Sequence, residues 1–440
     1  MTRYTAYRHS LILLCCLCAA PHKVAAQADT LFLPVAKLFE QGLRHSLQLQ
    51  ADRMKESVAG EQARSARTAR FPELQIGLRG GFVGQPLVWQ RGLSGLSTPD
   101  VPDWAQNYAV DLTQPIYQGG RIKNNIRKAD LEKQIAYLQT LSDRSELKLG
   151  LLDRYLNLFS LYKQHEVLSR NIDESEHRLR DIRRMKQEGL ITDNDVLRSE
   201  LQLTNDRLSL RETDNSIALV SQQLDILLGQ DESLLLKPDT SLLYQASTLQ
   251  TYGDYLLEAY ADEPSMQLLR KQTELARNEV RLTQAASRPN VALYASNTLA
   301  RPIARTLEDM YNNNWNLGLS ISYPLSSLYT NRHRIKAGQI MVLLRENAEE
   351  QKKQNIRMEV RSAFLRHQEA LQRVDALKLS VRQADENYRI MQNRYLGQLA
   401  ILTDLLDANT VRLNAELQLI TARTRVVYTY YQLQKACGRL

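Results

Sequence analysis

Residues 107–121 read NYAVDLTQPIYQGGR and combine an alternating pattern with a turn signal. In the first part, Tyr108, Val110, Leu112 and Ile116 alternate with polar residues such as Asp111 and Thr113. A period of two predicts a β-strand with one apolar face. Pro115 lacks a backbone N–H and is expected to end strand pairing, while Gly119 and Gly120 give the backbone freedom to turn. The stretch therefore predicts a strand that turns directly into the next element.

That next element is a proline-free run, 121–186, whose apolar residues recur at spacings of three and four. They are Leu131, Ile135, Leu138, Leu149, Leu152, Leu156 and Phe159. The same spacing returns at Val360, Phe364, Leu371, Val374, Val381, Tyr388, Met391 and Tyr395, and again at Leu406, Leu413, Leu417, Ile420, Val427 and Tyr431. This is the period of a coiled coil. Because a helix of about 65 residues is roughly 100 Å long, we expect these helices to form a rod.

Three further stretches alternate as residues 107–117 do: 72–88, 290–300 and 314–324. In the last of them, Trp315, Leu317, Leu319, Ile321 and Tyr323 alternate with polar residues that include Asn316, Ser320 and Ser322. Alternation over about 10 residues, with aromatic residues near the ends, matches a membrane-spanning strand of about 9–11 residues. Taken alone, the strands favour two soluble hairpins, each with one buried face, because the signal of a single membrane strand is weak.

The two halves of the chain share one order of elements: a helix, two strands and two long helices. Equivalent residues align at constant offsets, 217 for Pro72 with Pro289, and 209 for Pro115 with Pro324, Asp195 with Asp404 and Gly229 with Gly438. The sequence therefore predicts two tandem repeats, at 27–229 and 263–440. Their long helices are predicted at 121–228 and 329–437. The segment 230–262, between the two repeats, is predicted to be an irregular connector that extends to Pro264.

The N-terminal residues 1–26 are predicted to be a secretory signal peptide. Arg3 and Arg8 precede a short apolar run, LILLCCLCAA, and small residues stand before Gln27. Removal of this segment lowers the formal net charge from +8 to about +5. It also removes all cysteines but Cys437, so the mature chain is expected to have no internal disulfide.

Composition excludes several classes of protein. A mean hydropathy of −0.41, with no apolar run of 18 residues after the N-terminus, excludes a polytopic helical membrane protein. Basic and acidic residues, 57 and 49 in number, are interspersed as on solvated helix faces, which argues against nucleic-acid binding. The chain has no HExxH, CxxC, phosphate-loop or GxSxG motif. We therefore predict no enzyme activity, no metal site and no cofactor.

If the apolar strands of this exported chain lie in a membrane, the edges of their sheet need hydrogen-bond partners. Four strands in a lipid bilayer would leave unpaired backbone groups at the sheet edges, at a cost of several kcal/mol each. A closed barrel needs about eight strands or more. The chain is therefore expected to combine its strands with those of other copies, eight from two copies or twelve from three. The competing hypothesis is a coiled-coil surface scaffold or adhesin that forms no channel.

The run 114–121, QPIYQGGR, resembles the strand-to-helix junction of TolC-type outer-membrane efflux proteins. The strand starts at 70–72 and 288–289 and the helix-hairpin tips at 189–197 and 397–408 are also similar to that family. The resemblance covers the mature chain and implies a mainly α-helical homotrimer with a twelve-stranded transmembrane β-barrel, four strands per chain, on a coiled-coil periplasmic tunnel.

The function that the resemblance implies is an exit duct for tripartite efflux or type I secretion. Such a duct lies in the outer membrane of a Gram-negative bacterium and conducts small molecules or proteins. Its implied partners are a periplasmic adaptor protein and an inner-membrane transporter of the RND, ABC or MFS class.

The resemblance also implies roles for residues near the tips. Asp404 and Asp407, three residues apart on one helix, would form acidic rings at the tunnel constriction and favour cations. Their alternative role is to stabilise a helix N-terminus, worth about 0.3–1 kcal/mol each. Tyr395 and Asp195 match residues that hold the entrance shut by hydrogen bonds. An arginine that takes part in that closure is replaced here by Ala400, and Tyr395 fits a coiled-coil core position equally well.

The tips and the junctions complete the predicted site. Gly189 and Leu190 in the first tip, and Gly397 and Leu399 in the second, resemble the adaptor-docking surface. The glycines have a second explanation, since they permit the turn between helices. The second junction contains Pro324 but no glycines after it, so we expect its shape to differ from that of the first.

Overall fold

The computed structural model describes residues 30–98, 100–239, 249–303 and 308–440. The predicted signal peptide lies outside the described residues. The first half contains β1 (Thr30–Leu33), α1 (Val35–His45), α2 (Leu47–Thr68), β2 (Glu73–Phe82), β3 (Trp104–Gln118), α3 (Arg121–Gln187) and α4 (Asp193–Leu228). The second half contains β4 (Leu235–Pro238), α5 (Tyr252–Asp262), α6 (Pro264–Ala285), β5 (Asn290–Arg301), β6 (Asn312–Ser322), α7 (Ser327–Leu396) and α8 (Leu402–Ala436).

The helices of the two halves begin and end at almost equivalent positions. An offset of 217 places α1 and α2 on α5 and α6, and an offset of 209 places α4 on α8 to within one residue. One predicted boundary changes as a result. The segment 230–262 is not an irregular connector, because it contains β4 and α5, and α5 is the counterpart of α1. Pro264 is the first residue of α6 rather than a linker residue, a position that suits proline because its missing N–H has no partner there anyway.

The four long strands form one antiparallel sheet in the order β2-β3-β5-β6. One face carries the apolar residues Leu74, Ile76, Leu78, Tyr108, Val110, Leu112, Val291, Leu293, Leu299, Trp315, Leu317, Leu319 and Ile321, most of which are exposed. The opposite face is polar, and there the hydroxyl of Ser296 donates to Asp111 at 2.5 Å. Among the described residues of one chain nothing covers this apolar face, and no strand pairs with the outer edge of β2 or of β6.

The alternation predicted all four strands, although several boundaries differ. The first ends at Phe82 instead of residue 88, and the last ends at Ser322 instead of 324. Pro115 does not end strand pairing as expected. Pairing of β3 with β2 ends at Thr113, but pairing with β5 continues to Gln118 across a register shift after Pro115. A bulge tolerates proline because the missing donor is not needed there.

The rod consists of two antiparallel helical hairpins, α3 with α4 and α7 with α8. They join side by side through α3 and α8, so α4 and α7 are the outer helices of the pair. At 70 residues, α7 is roughly 105 Å long. Near the tips a shared core joins all four helices, with members such as Ile182, Leu203, Tyr388 and Leu405. Among the described residues, no helix is both long and apolar enough to cross a membrane.

Short elements cover the rod near the other end of α4 and α8. The strands β1 and β4 pair in parallel, and α1 packs with them on α3 and α4 around Leu38, Tyr155 and Leu224. In the second half α5 packs on α7 through Tyr255 and Phe364. We call β1, α1 and β4 the outer segment.

Candidate functional site

The two strand-to-helix junctions differ in both their residues and their backbone conformation. In the first, Gly119 and Gly120 have φ values of +61° and +90°. A Cβ on Gly119 would lie 2.5 Å from the carbonyl oxygen of Ala285, so both the turn and the close approach require glycine. The guanidinium of Arg288 donates to the Gly119 carbonyl at 3.2 Å and fixes the turn against α6.

The second junction achieves its turn with hydroxyl groups. The Ser327 hydroxyl and backbone N–H both donate to the carbonyl of Pro324, at 2.6 and 3.0 Å. The Asn331 amide donates to the Ser287 hydroxyl at 2.9 Å, which ties α7 to the end of α6. Ser326, just before α7, has a right-handed φ of −60°, in contrast to the left-handed Gly119 and Gly120. The predicted difference in shape is therefore confirmed, and serine and asparagine hydrogen bonds hold the second turn.

The first hairpin tip satisfies its own polar groups. Gly189 has a φ of +74°, and the N–H of Leu190 donates back to the carbonyl of Met185 at 2.9 Å. The carboxylate of Asp195 accepts from both the backbone N–H and the hydroxyl of Thr192, at 3.0 and 2.8 Å. This is the helix-capping arrangement that a Thr-x-x-Asp sequence favours.

The second tip is closed differently. Gly397 has a φ of −84°, so it is not the residue that makes the turn. That residue is Gln398, which adopts a left-handed φ of +58° although it is not glycine. The helix that follows begins after Ile401, whose side chain has no hydroxyl with which to cap it. The prediction that Gly397 enables the turn is therefore wrong, while Gly189 does enable its own.

The two predicted ring aspartates lie on one exposed face of α8. Neither Asp404 nor Asp407 has a hydrogen bond or an ion pair to another described residue. Between the tips, the guanidinium of Arg198 on α4 donates to the hydroxyl of Thr403 at 2.8 Å. The structure thus places the acidic pair in the first two turns of α8, with both side chains exposed.

The predicted hydrogen bond between Tyr395 and Asp195 is absent from the described residues. Tyr395 is buried in the four-helix core, and no described residue forms a hydrogen bond with its hydroxyl. Asp195 instead caps α4 through Thr192. Burial and then the nearby charge of Asp195 raise the pKa of Tyr395. The core position that we gave as the alternative for Tyr395 is what the structure shows.

A different set of bonds joins the two hairpins about 15 Å from the tips. Arg412 on α8 pairs with Glu174 on α3, donates to the Asn409 amide oxygen at 3.0 Å, and stacks over the Tyr388 ring at 4.1 Å. Arg178 donates to the Tyr388 hydroxyl at 2.9 Å. These bonds connect α3 with both α7 and α8.

The same set continues into α4 through buried side chains. The Asn409 amide donates to Asn171 at 2.9 Å, and Asn171 donates to the buried carboxylate of Asp206 at 2.9 Å. The Ser175 hydroxyl also donates to Asp206, at 3.1 Å. We call Asn171, Glu174, Ser175, Arg178, Asp206, Tyr388, Asn409 and Arg412 the inter-hairpin network. It spans all four helices.

Sequence reasoning missed this network. Its signal is the occurrence of polar residues at positions where the helical spacing calls for apolar ones, notably Asn171, Asp206 and Asn409, which are all buried. Such residues are costly unless they bond to one another. Their partners lie 35 and 238 residues away, so no local pattern could have paired them.

Large apolar side chains are exposed at both tips. Leu190 in the first tip and Leu399 in the second are accompanied by Leu396 and Ile401. Leu399 is 71% exposed. An uncovered group of this kind at the end of a rod is typical of a contact surface.

Comparison with known proteins identifies a matching family and a relative that covers most of the chain. The family model for outer membrane efflux proteins matches residues 38–230 and 256–439. The outer membrane protein TolC of Escherichia coli (strain K12) is 22% identical over 434 residues, covering 94% of this chain and 83% of TolC.

Solved structures share the fold. The outer membrane protein VceC of Vibrio cholerae superposes with a TM-score of 0.78 at 20% identity, covering 92% of this chain and 96% of VceC. CusC, described as forming a transmembrane channel, superposes with a TM-score of 0.80 at 17% identity, covering 92% of each chain.

Proposed function

The chain belongs to the outer membrane efflux protein family, and we propose that three copies of it form a gated exit duct that crosses the outer membrane and extends into the periplasm. The family consists of channel proteins of efflux systems, which favours a duct over the alternative of a scaffold or adhesin. The observation that carries the proposal is the four-stranded sheet, apolar on one face, polar on the other, and open at both edges.

The sheet supports assembly because it cannot be stable in a bilayer by itself. Free edges on β2 and β6 expose backbone donors and acceptors that lipid cannot satisfy. Pairing of β6 in one copy with β2 in the next removes every edge, and three copies supply twelve strands. The apolar face then meets lipid and the polar face lines the duct.

The rod supports the same assembly. On α4 the exposed residues Leu197, Leu201, Leu208, Leu219 and Ile226 follow coiled-coil spacing, and on α7 so do Leu344, Met358, Leu365 and Leu379. These helices lie at opposite sides of the two-hairpin unit. Within the described part of the chain no helix covers either stripe. A neighbouring copy would bring α4 of one chain onto α7 of the next and close a tube.

Asp404 and Asp407 would then lie in rings at the narrow end of the tube. Six carboxylates at close range attract cations and repel anions. Opening the entrance requires the two hairpins of each chain to separate. We propose that the inter-hairpin network, rather than a bond between Tyr395 and Asp195, resists that separation in this chain. The exposed leucines of the tips would receive a periplasmic adaptor, which joins the duct to an inner-membrane transporter of the RND, ABC or MFS class.

Single-channel recording in planar bilayers tests the duct and the constriction together. We expect purified wild-type trimers to show a small, cation-selective conductance. The double variant Asp404→Asn/Asp407→Asn should conduct more anions, because the rings lose their charge while the side-chain volume stays nearly the same. The matched control is Asp195→Asn, whose carboxylate occupies the equivalent position of the first repeat but is engaged in capping.

The outcomes separate the parts of the proposal. A channel whose selectivity does not respond to the double variant retains the duct and removes the rings. Protein that is monomeric after detergent extraction and does not conduct would contradict the assembly itself. Equal effects of the Asp195 and the double variants would show a general charge effect in place of a local constriction.

A further inference from the structure

Asp225 is a buried carboxylic acid to which no described residue donates a hydrogen bond. It lies in the last turn of α4 and is 0% exposed, and within the part of the chain that the structure describes neither carboxylate oxygen has a hydrogen-bond donor. A buried charge in this state costs far more than a buried neutral acid. The last turn of a helix adds to that cost, because the C-terminal end of the helix dipole is negative.

The charged groups that act on Asp225 are negative, and no cation among the described residues pairs with it. Asp231 and Glu232 follow in the turn after α4, where Asp231 accepts from Ser233 and Glu232 accepts from Gln222. At the end of α1 the His45 ring lies so close to Gly229 that a Cβ there would be 2.5 Å from it. Lys148 on α3 lies over the ring of Phe39, on α1, and Lys237 on β4 is exposed.

The position of Asp225 gives its protonation a structural consequence. Gly229, which ends α4 with a φ of +67°, packs against His45, and the Gln230 amide donates to Gln41 on α1 at 2.9 Å. A few residues later the chain enters β4, which pairs with β1. The turn beside Asp225 is thus the joint that attaches the outer segment to the rod.

We propose that Asp225 is a proton-operated switch at this joint: its neutral form packs the outer segment onto α4, and its ionised form loosens the attachment. The proton comes from and returns to water, and no bond other than the carboxyl O–H changes. The switch acts on the attachment of β1, α1 and β4, and is separate from the tip constriction and from the inter-hairpin network.

The direction of the pH effect follows from the acid's surroundings. Burial and then the charges of Asp231 and Glu232 raise the pKa of Asp225 from 3.8 to about 6. The folded state therefore binds a proton between these values that the unfolded state has released, so stability falls as the pH rises from 3.8 to about 6. Above that pH both states are ionised and the loss is complete.

The second repeat supplies a natural comparison. An offset of 209 places Gln434, in the last turn of α8, at the position of Asp225. Its backbone carbonyl accepts from the N–H of Arg439 at 2.9 Å, as that of Asp225 accepts from Gln230 at 2.9 Å. The end of α8 thus has the same backbone hydrogen bond as the end of α4, but a neutral side chain at the position of Asp225. We therefore expect only the joint at the end of α4 to respond to pH.

The test compares Asp225→Asn with the full-length wild-type trimer in detergent at pH values from 4.5 to 7.5. Thermal unfolding gives global stability, and hydrogen exchange of 35–45 and 225–238 reports the joint. Below pH 5 we expect the two proteins to match. Above pH 6.5 the variant should melt several degrees higher and should exchange more slowly at the joint by about tenfold or more.

Two further measurements keep the test decisive. Asp231→Asn/Glu232→Gln should shift the midpoint of the wild-type transition to lower pH, because it removes the neighbouring charges and leaves the acid in place. Equal pH dependence of the wild type and Asp225→Asn would overturn the proposal. Stabilisation of the wild type by 1 mM calcium at pH 7.5, lost in Asp225→Asn, would also overturn it, because the carboxylate would then hold a cation instead of a proton.

Discussion

At the first hairpin tip the turn residue is Gly189, and at the equivalent position of the second tip it is Gln398, with φ values of +74° and +58°. Asp195 and Asp404 also occupy equivalent positions in the two repeats. Asp195 caps the helix that follows the first tip, whereas Asp404 points at solvent because Ile401 replaces Thr192. The first tip is therefore closed by its own residues, and the second must be held by other parts of the molecule.

The comparison suggests that the two tips are stabilised in different ways, the first by local bonds and the second by contacts with other helices. A tip that satisfies its own backbone groups is expected to stay folded when its neighbours move. A tip with a strained turn and an uncapped helix gains less from local structure, and its acids remain available to the duct. The inter-hairpin network and the bond from Arg198 to Thr403 then determine where the second tip lies. The following substitutions test that difference, from the largest expected effect to the smallest.

Removing Arg412 should release the second tip. Arg412→Ala breaks the pairing with Glu174, the bond to Asn409 and the stacking on Tyr388, and its side chain is only 15% exposed. We expect a loss of about 2 kcal/mol in the free energy of local opening, because the variant removes the ion pair, the hydrogen bond and the ring contact of a largely buried side chain together. Hydrogen exchange at 402–412 should rise far more than at 193–203.

The matched control is Arg170→Ala, which removes the neighbouring bond to Glu416 from an arginine that is 62% exposed. An exposed pair contributes about 0–1 kcal/mol. If both variants open the second tip equally, the network has no special role.

Exchanging the turn residues should change the two tips in opposite directions. Gln398→Gly removes the cost of a left-handed non-glycine residue and should stabilise the second tip by about 1 kcal/mol, while Gly189→Gln should destabilise the first by a similar or larger amount. Opening free energies from hydrogen exchange provide the measurement. A destabilised Gln398→Gly variant would show that the glutamine side chain makes a compensating contact.

Removing the cap should bring the first tip closer to the second. Thr192→Val loses the hydroxyl that donates to Asp195 but keeps the shape of the side chain, and the expected cost is about 1 kcal/mol. Exchange should increase in the first turn of α4 and stay unchanged in the first turn of α8. A response that is equal at both tips would contradict independent closure.

Adding a cap should bring the second tip closer to the first. Ile401→Thr recreates the Thr-x-x-Asp pattern with Asp404 and should stabilise the start of α8 by about 0.5 kcal/mol. Because the carboxylate of Asp404 would turn toward the new hydroxyl, cation selectivity of the channel should decrease in part. Ile401→Val is the control, since it keeps a branched apolar side chain. Unchanged selectivity with a stabilised helix would separate the cap from the constriction.

The sequence predicted much of the fold because the fold repeats simple periods. Alternation located all four long strands, the spacing of apolar residues located the long helices, and constant offsets revealed the repeat. The parts that it missed have short or mixed signals. The helix α5 has only 11 residues, and the pairing of β3 beyond Pro115 depends on a bulge that only the neighbouring strand defines.

The candidate site divides in the same way. The glycines of the first junction and first tip, and the exposed aspartates of α8, lie where their sequence context placed them. Gly397 and the pairing of Tyr395 with Asp195 do not behave as predicted, because a turn can choose the adjacent residue and a carboxylate can be claimed by a nearer hydroxyl. In each case two neighbouring groups could take the same role, and the folded structure selects one of them.

The amino-acid sequence by itself determined the class of architecture, since period, length and repetition are properties of the chain alone. Only the tertiary structure decided which polar groups bond to each other. The inter-hairpin network joins residues up to 238 positions apart, and Asp225 is unusual only because the folded chain buries it completely. Local patterns record which residues prefer to be buried or to turn, whereas the partners of a buried polar group are fixed by packing across the whole fold.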